Sequence, residues 1–436
     1  MSGTSVPAGS SLALTQQSVA LSAQLTRAPG SLNALMGPAP KQSDAERMLK
    51  RQSDPAMPLV RITDLSTDPK GDKVTVDAFD VVGGKPIMGD RNAEGMGKRL
   101  SSSQFSMLID LATFNVDAGG KMSRQRTRWD LRRIAKTASL DYFKRLRWQR
   151  AIVQMFGARG HQVGSSWDIP LATDADFAEI MINVNGAGTN VQCPTYNRHY
   201  VINGTGLTRG GLQLASLATT DKWKLSNLDN LALILESMET KIPSPRFYGD
   251  EQAVDSPLKG VLMMPSGCYN DLITDMTSGN NLRAFQGLVE QRQKWAKDTA
   301  IFRGECGIWR GILVKKMEHT IRFDASASYQ YIAVANRLTE TESTGTVPSL
   351  SGTHHAERSV LLGGQALACA EGASNSGEVA SIIENTYNAG RNYEYITEFM
   401  GGEKKFRFSF PNTSGDSEPT DNGILVIDAA SPDVAA

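Results

Sequence analysis

From Ser123 to Phe156 the chain runs thirty-four residues without Gly or Pro. Within it Leu131, Ile134, Ala135, Ala138, Tyr142, Leu146 and Val153 recur at helical spacing, which predicts one long helix with a single packing face. At 1.5 Å of rise per residue that helix spans roughly 50 Å, more than a compact domain needs. Upstream, the β-branched, partly alternating run Lys73 to Val82 predicts a strand, and Phe105 to Val116 a second one. The polar loop between them is punctuated by Gly83, Gly84, Pro86, Gly89, Gly95 and Gly97, so the unit reads as a long hairpin with an excursion at its tip. Such a hairpin does not hold its shape alone and is expected to lie on another subunit.

Downstream the elements are shorter. The pattern predicts helices over Leu228 to Glu239, Tyr269 to Met276 and Phe285 to Thr299, and a helical patch at Gln365 to Ala370. Strands are expected at Glu179 to Val184, Gly260 to Met264, Gly311 to Met317, Ser359 to Leu362, Phe406 to Phe410 and Gly423 to Asp428. Helices and strands mix without strict alternation, which makes the class α+β. Residues 1 to about 58 are rich in Ser, Ala, Gln and Pro with no sustained period, and read as an arm whose apolar points Leu12, Leu14, Val19, Leu21 and Leu25 suit a neighbouring surface.

Charge changes the picture of the long helix. The chain is neutral, with 46 Lys+Arg against 46 Asp+Glu. Yet Arg124, Arg126, Arg128, Arg132, Arg133, Lys136, Lys144, Arg145, Arg147 and Arg150 stand against only Asp130 and Asp141. That segregation fits two readings at this point: a solvated or salt-bridged helix face, or a face for nucleic acid or a neighbouring subunit. No continuous apolar run precedes Arg27 and no window approaches a membrane span, so the chain reads as soluble and non-secreted, with no membrane partner. Cys193, Cys268, Cys306 and Cys369 stand far apart and are expected as buried apolar residues.

The search for chemistry returns little. A P-loop is absent, and Gly204 to Gly210 has the wrong glycine spacing for a dinucleotide site. His161, His199, His319, His354 and His355 show no zinc-ligand spacing, and the pair His354-His355 is expected on a loop surface. Ser266-Gly267-Cys268 has no local feature of an activated nucleophile. The expectation is therefore no catalytic residue, no metal and no cofactor, with weight on a structural or binding role.

Local motifs, in order along the chain, carry a resemblance. They begin with Gly71-Asp72-Lys73-Val74-Thr75, Gly89-Asp90 and Glu94-Gly95, and continue with Lys121-Met122-Ser123-Arg124-Gln125-Arg126 at the start of the long helix. Met264-Pro265 and the stretch Phe302 to Ile312 follow, then Leu361-Leu362-Gly363-Gly364-Gln365-Ala366, Gly402-Glu403-Lys404-Lys405 and Gly423 to Asp428. Each piece is weak alone; their order over about 70 to 430 resembles the major capsid proteins of tailed bacteriophages, specifically the coat proteins of N4-like podoviruses.

The resemblance implies an HK97-like fold: an N-terminal arm (1–71), an extended hairpin called the E-loop (72–118), a peripheral domain (119–249) with a spine helix at 123–156 and a Gly/Asn-rich insertion, an axial domain (250–360), and return strands with a tail (361–436). It implies a shell of hexamers and pentamers around double-stranded DNA, in the virion after assembly in the host cytoplasm. Its partners would be copies of itself, neighbouring capsomers, scaffolding or decoration proteins, a portal and packaged DNA. The ten basic residues of the long helix would face DNA or a neighbour, and Lys85, Asp90, Arg91, Glu94, Lys98 and Arg99 would supply hairpin contacts between subunits. An encapsulin-like nanocompartment shell and a soluble enzyme are the alternatives.

Overall fold

The computed structural model describes residues 35, 56–63, 65, 71–80, 86–89, 94–95, 97, 100–158, 168–170, 174–176, 180–181, 191–246, 258–277, 306–317, 321–323, 332–339, 341–344, 347, 350, 354–372, 380–411 and 415–432. The expected helix at 285–299, the arm residues Leu12 to Leu25 and most of the expected strand at 179–184 lie outside them.

Two sheets organise the chain. In the first, the fourteen-residue strand β16 (Asn392–Lys405) is central. On one side it pairs with β14 (Leu367–Glu371) and then β15 (Ala380–Tyr387); β4 (Asp110–Gly120) also pairs with it, and β1 (Leu59–Ile62) lies parallel to β14. The eight-stranded second sheet runs β6 (Gly206–Arg209), β5 (His199–Asn203), β19 (Ile424–Pro432), β13 (His354–Leu362), β7 (Gly260–Pro265), β9 (Ile312–Met317) and β8 (Cys306–Trp309), with β10 (Arg322–Phe323) on β13. Two-stranded ladders are β2 (Lys73–Phe79) with β3 (Ser102–Leu108), β11 (Ile332–Val334) with β12 (Glu342–Thr344), and β17 (Arg407–Pro411) with β18 (Ser417–Asp421).

The long helix is broken. Helix α1 (Lys121–Arg126) ends at Thr127, whose extended backbone stops the ladder, and α2 (Leu131–Phe156) restarts at Asp130. Asp130 Oδ1 accepts from the Arg132 and Arg133 amides at 3.2 and 3.4 Å, an N-cap that offsets two of the orphaned donors of a helix start. The single helix expected over 123–156 is thus corrected to two, at a site with no Gly or Pro to announce it. The expected packing stripe holds at Ala135, Leu146 and Val153, whereas Ile134 is exposed. From Trp148 to Phe156 every residue of α2 is buried, because this half is wedged among Leu59, Val360, Leu362 and Val426 in the largest core cluster.

Gly157 ends α2 in the left-handed conformation (φ +59°), its amide donating to Val153 O at 2.9 Å. A Cβ there would meet Gln192 O at 2.6 Å and Lys405 Nζ at 2.7 Å. Gly157→Ala is therefore expected to destabilise the unassembled subunit by about 2 kcal/mol through left-handed strain and overpacking; an unchanged thermal midpoint would contradict this.

The second sheet carries helices α3 (Leu225–Ser237) and α4 (Ser266–Thr277) on one face, where Leu228, Leu231, Leu272 and Met276 pack on Leu262, Met264, Leu425 and Ile427. Residues 199–237, expected within a 119–249 unit around the long helix, instead build this sheet and its cover. A third cluster holds the base of the β2–β3 hairpin, with Val74, Phe105 and Met107 on Val60, Phe406 and Phe408.

Three further expectations change. Gln365–Ala370 is not helical: Leu367–Glu371 is a buried strand, since a short apolar run suits either state and the β1 and β16 neighbours decide it. His355 is no loop residue but lies buried in β13, with Nε2 2.8 Å from Glu357 Oε1. The stretch expected as arm up to residue 71 includes β1, which is an integral strand with Leu59, Val60 and Ile62 in the core.

Candidate assembly and nucleic-acid interface

The basic residues of α1 and α2 divide by the face they occupy. Towards the first sheet, Arg132 contacts Glu384, donates through Nε to the Tyr395 hydroxyl at 3.3 Å and lies 4.1 Å over the Tyr393 ring. Arg124 lies over the same ring at 4.4 Å and donates to Arg391 O at 3.2 Å. Tyr393 and Tyr395 face the helix by strand alternation along β16, so the sheet presents it with a cation–π seat and an acceptor. Arg145 donates to Asp168 Oδ1 at 2.7 Å, and this hydrogen bond raises its pKa above the usual guanidinium value. Arg147 is 3.6 Å from Glu371 and 4.2 Å over Phe399. Arg150 is 2 % exposed and 3.1 Å from Glu403. Burial therefore removes Arg150 from the group expected to face DNA or a neighbour.

The remaining basic residues point outward. Arg126, Arg128, Arg133, Lys136 and Lys144 are exposed, and Arg133, Lys136 and Lys144 fall within a sector of about 80° around α2 at 100° per residue. The local basic excess is thus split: four arginines meet carboxylates of their own chain, and a narrow stripe faces away from the sheet.

In the hairpin, β2 and β3 pair from Lys73↔Leu108 to Phe79↔Ser102. The second leg does not stay in the hairpin: it continues as β4 into the first sheet. Towards the tip large apolar side chains stand open, with Phe79 64 %, Met88 70 % and Leu100 59 % exposed. Of the expected contact residues Glu94 is described and exposed, whereas Lys85, Asp90, Arg91, Lys98 and Arg99 lie outside the described residues.

Two buried ionic clusters were not expected from the sequence, one within the second sheet and one between the first sheet and the β17–β18 ladder. Arg358 on β13 grips Asp428 on β19 with two hydrogen bonds of 2.7 and 3.0 Å, while His199 Nε2 on β5 is 2.7 Å from the same carboxylate. Arg358 also donates to Phe156 O at 2.8 Å, placing a cation at the negative C-terminal end of α2. Beside it, Arg407 donates to Asp421 Oδ1 at 2.8 Å, the Thr195 amide donates to Oδ2 at 3.1 Å, and Lys405 Nζ is 3.6 Å from Oδ2. Burial raises the Asp428 pKa, but the charges of Arg358 and His199 outweigh it and hold the group well below the carboxylate range. Burial pushes Lys405 down to about 8. The signal in the sequence was a lone Asp inside the apolar strand Gly423 to Ala430.

Among the described residues no three His, Cys, Asp or Glu side chains form a metal-binding group, and no helix is long and apolar enough to cross a membrane. Cys193, Cys268 and Cys369 are buried free thiols, and burial raises the pKa of Cys268 and Cys369, the reverse of activation. The described residues present an exposed hairpin tip, a basic stripe and two buried ionic clusters.

The fold is HK97-like, and solved structures of phage capsids share it. The capsid of Ralstonia phage GP4 aligns over 100 % of both chains with a TM-score of 0.70 and 22 % identity. The capsid of cyanophage Pam1 aligns over 85 % of this chain and 88 % of its own, with a TM-score of 0.53 and 16 % identity. The head of Helicobacter pylori bacteriophage KHP40 aligns over 92 % and 90 %, with a TM-score of 0.53 and 10 % identity. No curated protein matches the chain. The family model described as phage capsid protein matches residues 5–433; the chain belongs to that family and is the major capsid protein of a phage shell.

Proposed function

We propose that this chain assembles into hexamers and pentamers of an icosahedral shell around double-stranded DNA, in the cytoplasm of the host, with portal and scaffolding or decoration proteins as further partners. In this reading the β2–β3 hairpin is the E-loop, and α2 with the first sheet forms the peripheral domain. The second sheet with α3 and α4 forms the axial domain. The exposed apolar residues Phe79, Met88 and Leu100 suit burial on a neighbouring subunit, within contacts that close by rotational symmetry.

The observation that carries the DNA contact is the outward stripe Arg133, Lys136 and Lys144, whose charges are not matched by the acids that hold Arg132, Arg145, Arg147 and Arg150. Phosphate contacts of this kind are independent of base sequence and weaken with salt, each adding about −0.9 to the slope of log K against log salt on duplex DNA. The triple variant Arg133→Glu, Lys136→Glu, Lys144→Glu is expected to form closed shells while DNA-filled particles fall at least tenfold, counted by electron microscopy of density-gradient fractions. Filled particles at the normal frequency would overturn the DNA contact. Failure to form shells would assign the stripe to a neighbouring subunit instead, with Glu94 of the hairpin as an acidic candidate.

A further inference from the structure

The α4 side of the second sheet holds a buried polar corner. Along β13, His355, Glu357 and Ser359 alternate on the side where Leu361 packs under the helices. Ser431 of β19 stands in register with His355. The first turn of α4 lies on this corner. Cys268 is fully buried with Sγ 3.7 Å from Glu357 Oε2. A Cβ on Gly267 would collide with the Ser431 hydroxyl and come within 3.1 Å of the same carboxylate. Three residues past Cys268, on the same helix face, Asp271 adds a second carboxyl group.

The corner is short of partners. His355 Nε2 lies 2.8 Å from Glu357 Oε1 and so meets one of the two acids. Asp271 Oδ2 is buried without a hydrogen-bond partner, and so are His355 Nδ1 and Ser431 Oγ. Buried polar atoms of native proteins are nearly all satisfied. Three orphans beside two carboxyl groups mark a site that gains from a proton, because a protonated carboxyl becomes a hydrogen-bond donor and no longer repels its neighbour.

The charges around Asp271 come from few elements. Lys222, in the segment before α3, and His355 favour its ionised form, whereas Glu357 disfavours it. His354 lies near Lys222 and His355. On α4 itself, burial followed by the charges of Glu357 and Asp271 raises the Cys268 pKa, so the thiol stays protonated. Asp275, one turn beyond Asp271, accepts from the Leu225 amide at 2.9 Å. The α3 acids Asp229 and Glu236 are held by Trp309 and Lys259. β9 places Lys316 on the same face as Val314, and β7 packs there with Leu262 and Met264.

We propose that this corner is an acid-tightened latch: a proton taken up by Asp271 ends its repulsion of Glu357 and holds α4 more firmly on the second sheet. Burial raises the Asp271 pKa most, Lys222 opposes it, Glu357 adds to it, and the value is about 6. In the unfolded chain it is about 3.9. The docked helix therefore binds more protons between those values, and docking strengthens as pH falls through 6. The Arg358 site lies on the opposite face of the same strands, turned to α2, and responds to acid with the opposite sign. The latch offsets part of that loss in the whole subunit and stands alone in the local opening of α4.

The test is hydrogen exchange of peptides covering 266–277 in the unassembled full chain at pH 7 and pH 5, corrected for the intrinsic rate. A pKa of about 6 sets a ceiling of about tenfold on the change in the opening equilibrium over that range, and the half-buried carboxyl is expected to give slowing of about threefold or more at pH 5. Asp271→Asn, neutral at both pH values, is expected to exchange at the slow rate at both. A parent helix that exchanges as fast or faster at pH 5 overturns the proposal. Slowing retained in the Asn variant assigns the proton to another group and also overturns it. Asp271→Ser, likewise uncharged, takes the place of the Asn variant if that one is not recovered folded, and the pH comparison of the parent needs no variant.

Discussion

Arg358→Met is expected to cost the unassembled subunit about 3–5 kcal/mol, the usual consequence of removing one partner from a buried ion pair. Arg358 and Asp428 are both fully buried, and the loss leaves a buried carboxylate without its arginine, beside the His199 imidazole. Against a total of about 5–15 kcal/mol for a typical domain, that is enough to depopulate the folded subunit or abolish its recovery in soluble form. The double variant Arg358→Met, Asp428→Leu is expected to recover most of the loss, because two apolar side chains of similar volume leave no stranded charge. Denaturant titration of both variants decides: a single variant as stable as the parent, or a double variant worse than the single, would show that the pair does not carry the cluster.

The same site sets an acid response. The Asp428 pKa lies below its unfolded value of about 3.9, so its contribution is full above that pH and lost as pH falls further. His199, depressed chiefly by burial, acts earlier: the unfolded chain gains its proton below about pH 6.5, so stability declines from there. The unassembled subunit is therefore expected to weaken progressively below pH 6.5.

Lys405→Met has a different signature, visible in alkali. The folded pKa of about 8 lies below the unfolded value, so between pH 8 and about 10.5 the unfolded chain binds more protons and stability rises with pH. A shift of this size corresponds to a gain of about 3 kcal/mol across that window. The Met variant is expected to lose this rise and to match or exceed the parent at pH 7, since Asp421 keeps Arg407 and the Thr195 amide. Parallel pH profiles for the two proteins would show that Lys405 is not held in the low-dielectric cluster.

Much of the secondary structure was legible because the side chains that decide it are local. The alternating run at 73–82 appears as β2, the apolar run at 260–264 as β7, and the cluster at Leu228 to Glu239 as α3. Misreadings fall where two local solutions compete. Thr127 and Asp130 stop and restart a helix with cap chemistry and no Gly or Pro, and the Ala-rich stretch after Gln365 has the composition of a helix but the neighbours of a strand. The basic helix face was legible as a charge excess, but not its division. Glu371, Glu384 and Glu403 lie more than two hundred residues beyond the arginines they meet.

By itself, then, the sequence determined the type of most of the regular elements and the segregation of positive charge onto one stretch of helix, because periodicity, capping and composition act within a few residues. The tertiary structure alone decided which arginines remain outward, that Arg358, Asp428 and His199 meet inside the second sheet at the end of α2, and that Lys405 of the first sheet meets Asp421 of the β17–β18 ladder. Those depend on burial and on charge partners brought together from distant parts of the chain, and electrostatic energy follows distance in space and not separation in sequence.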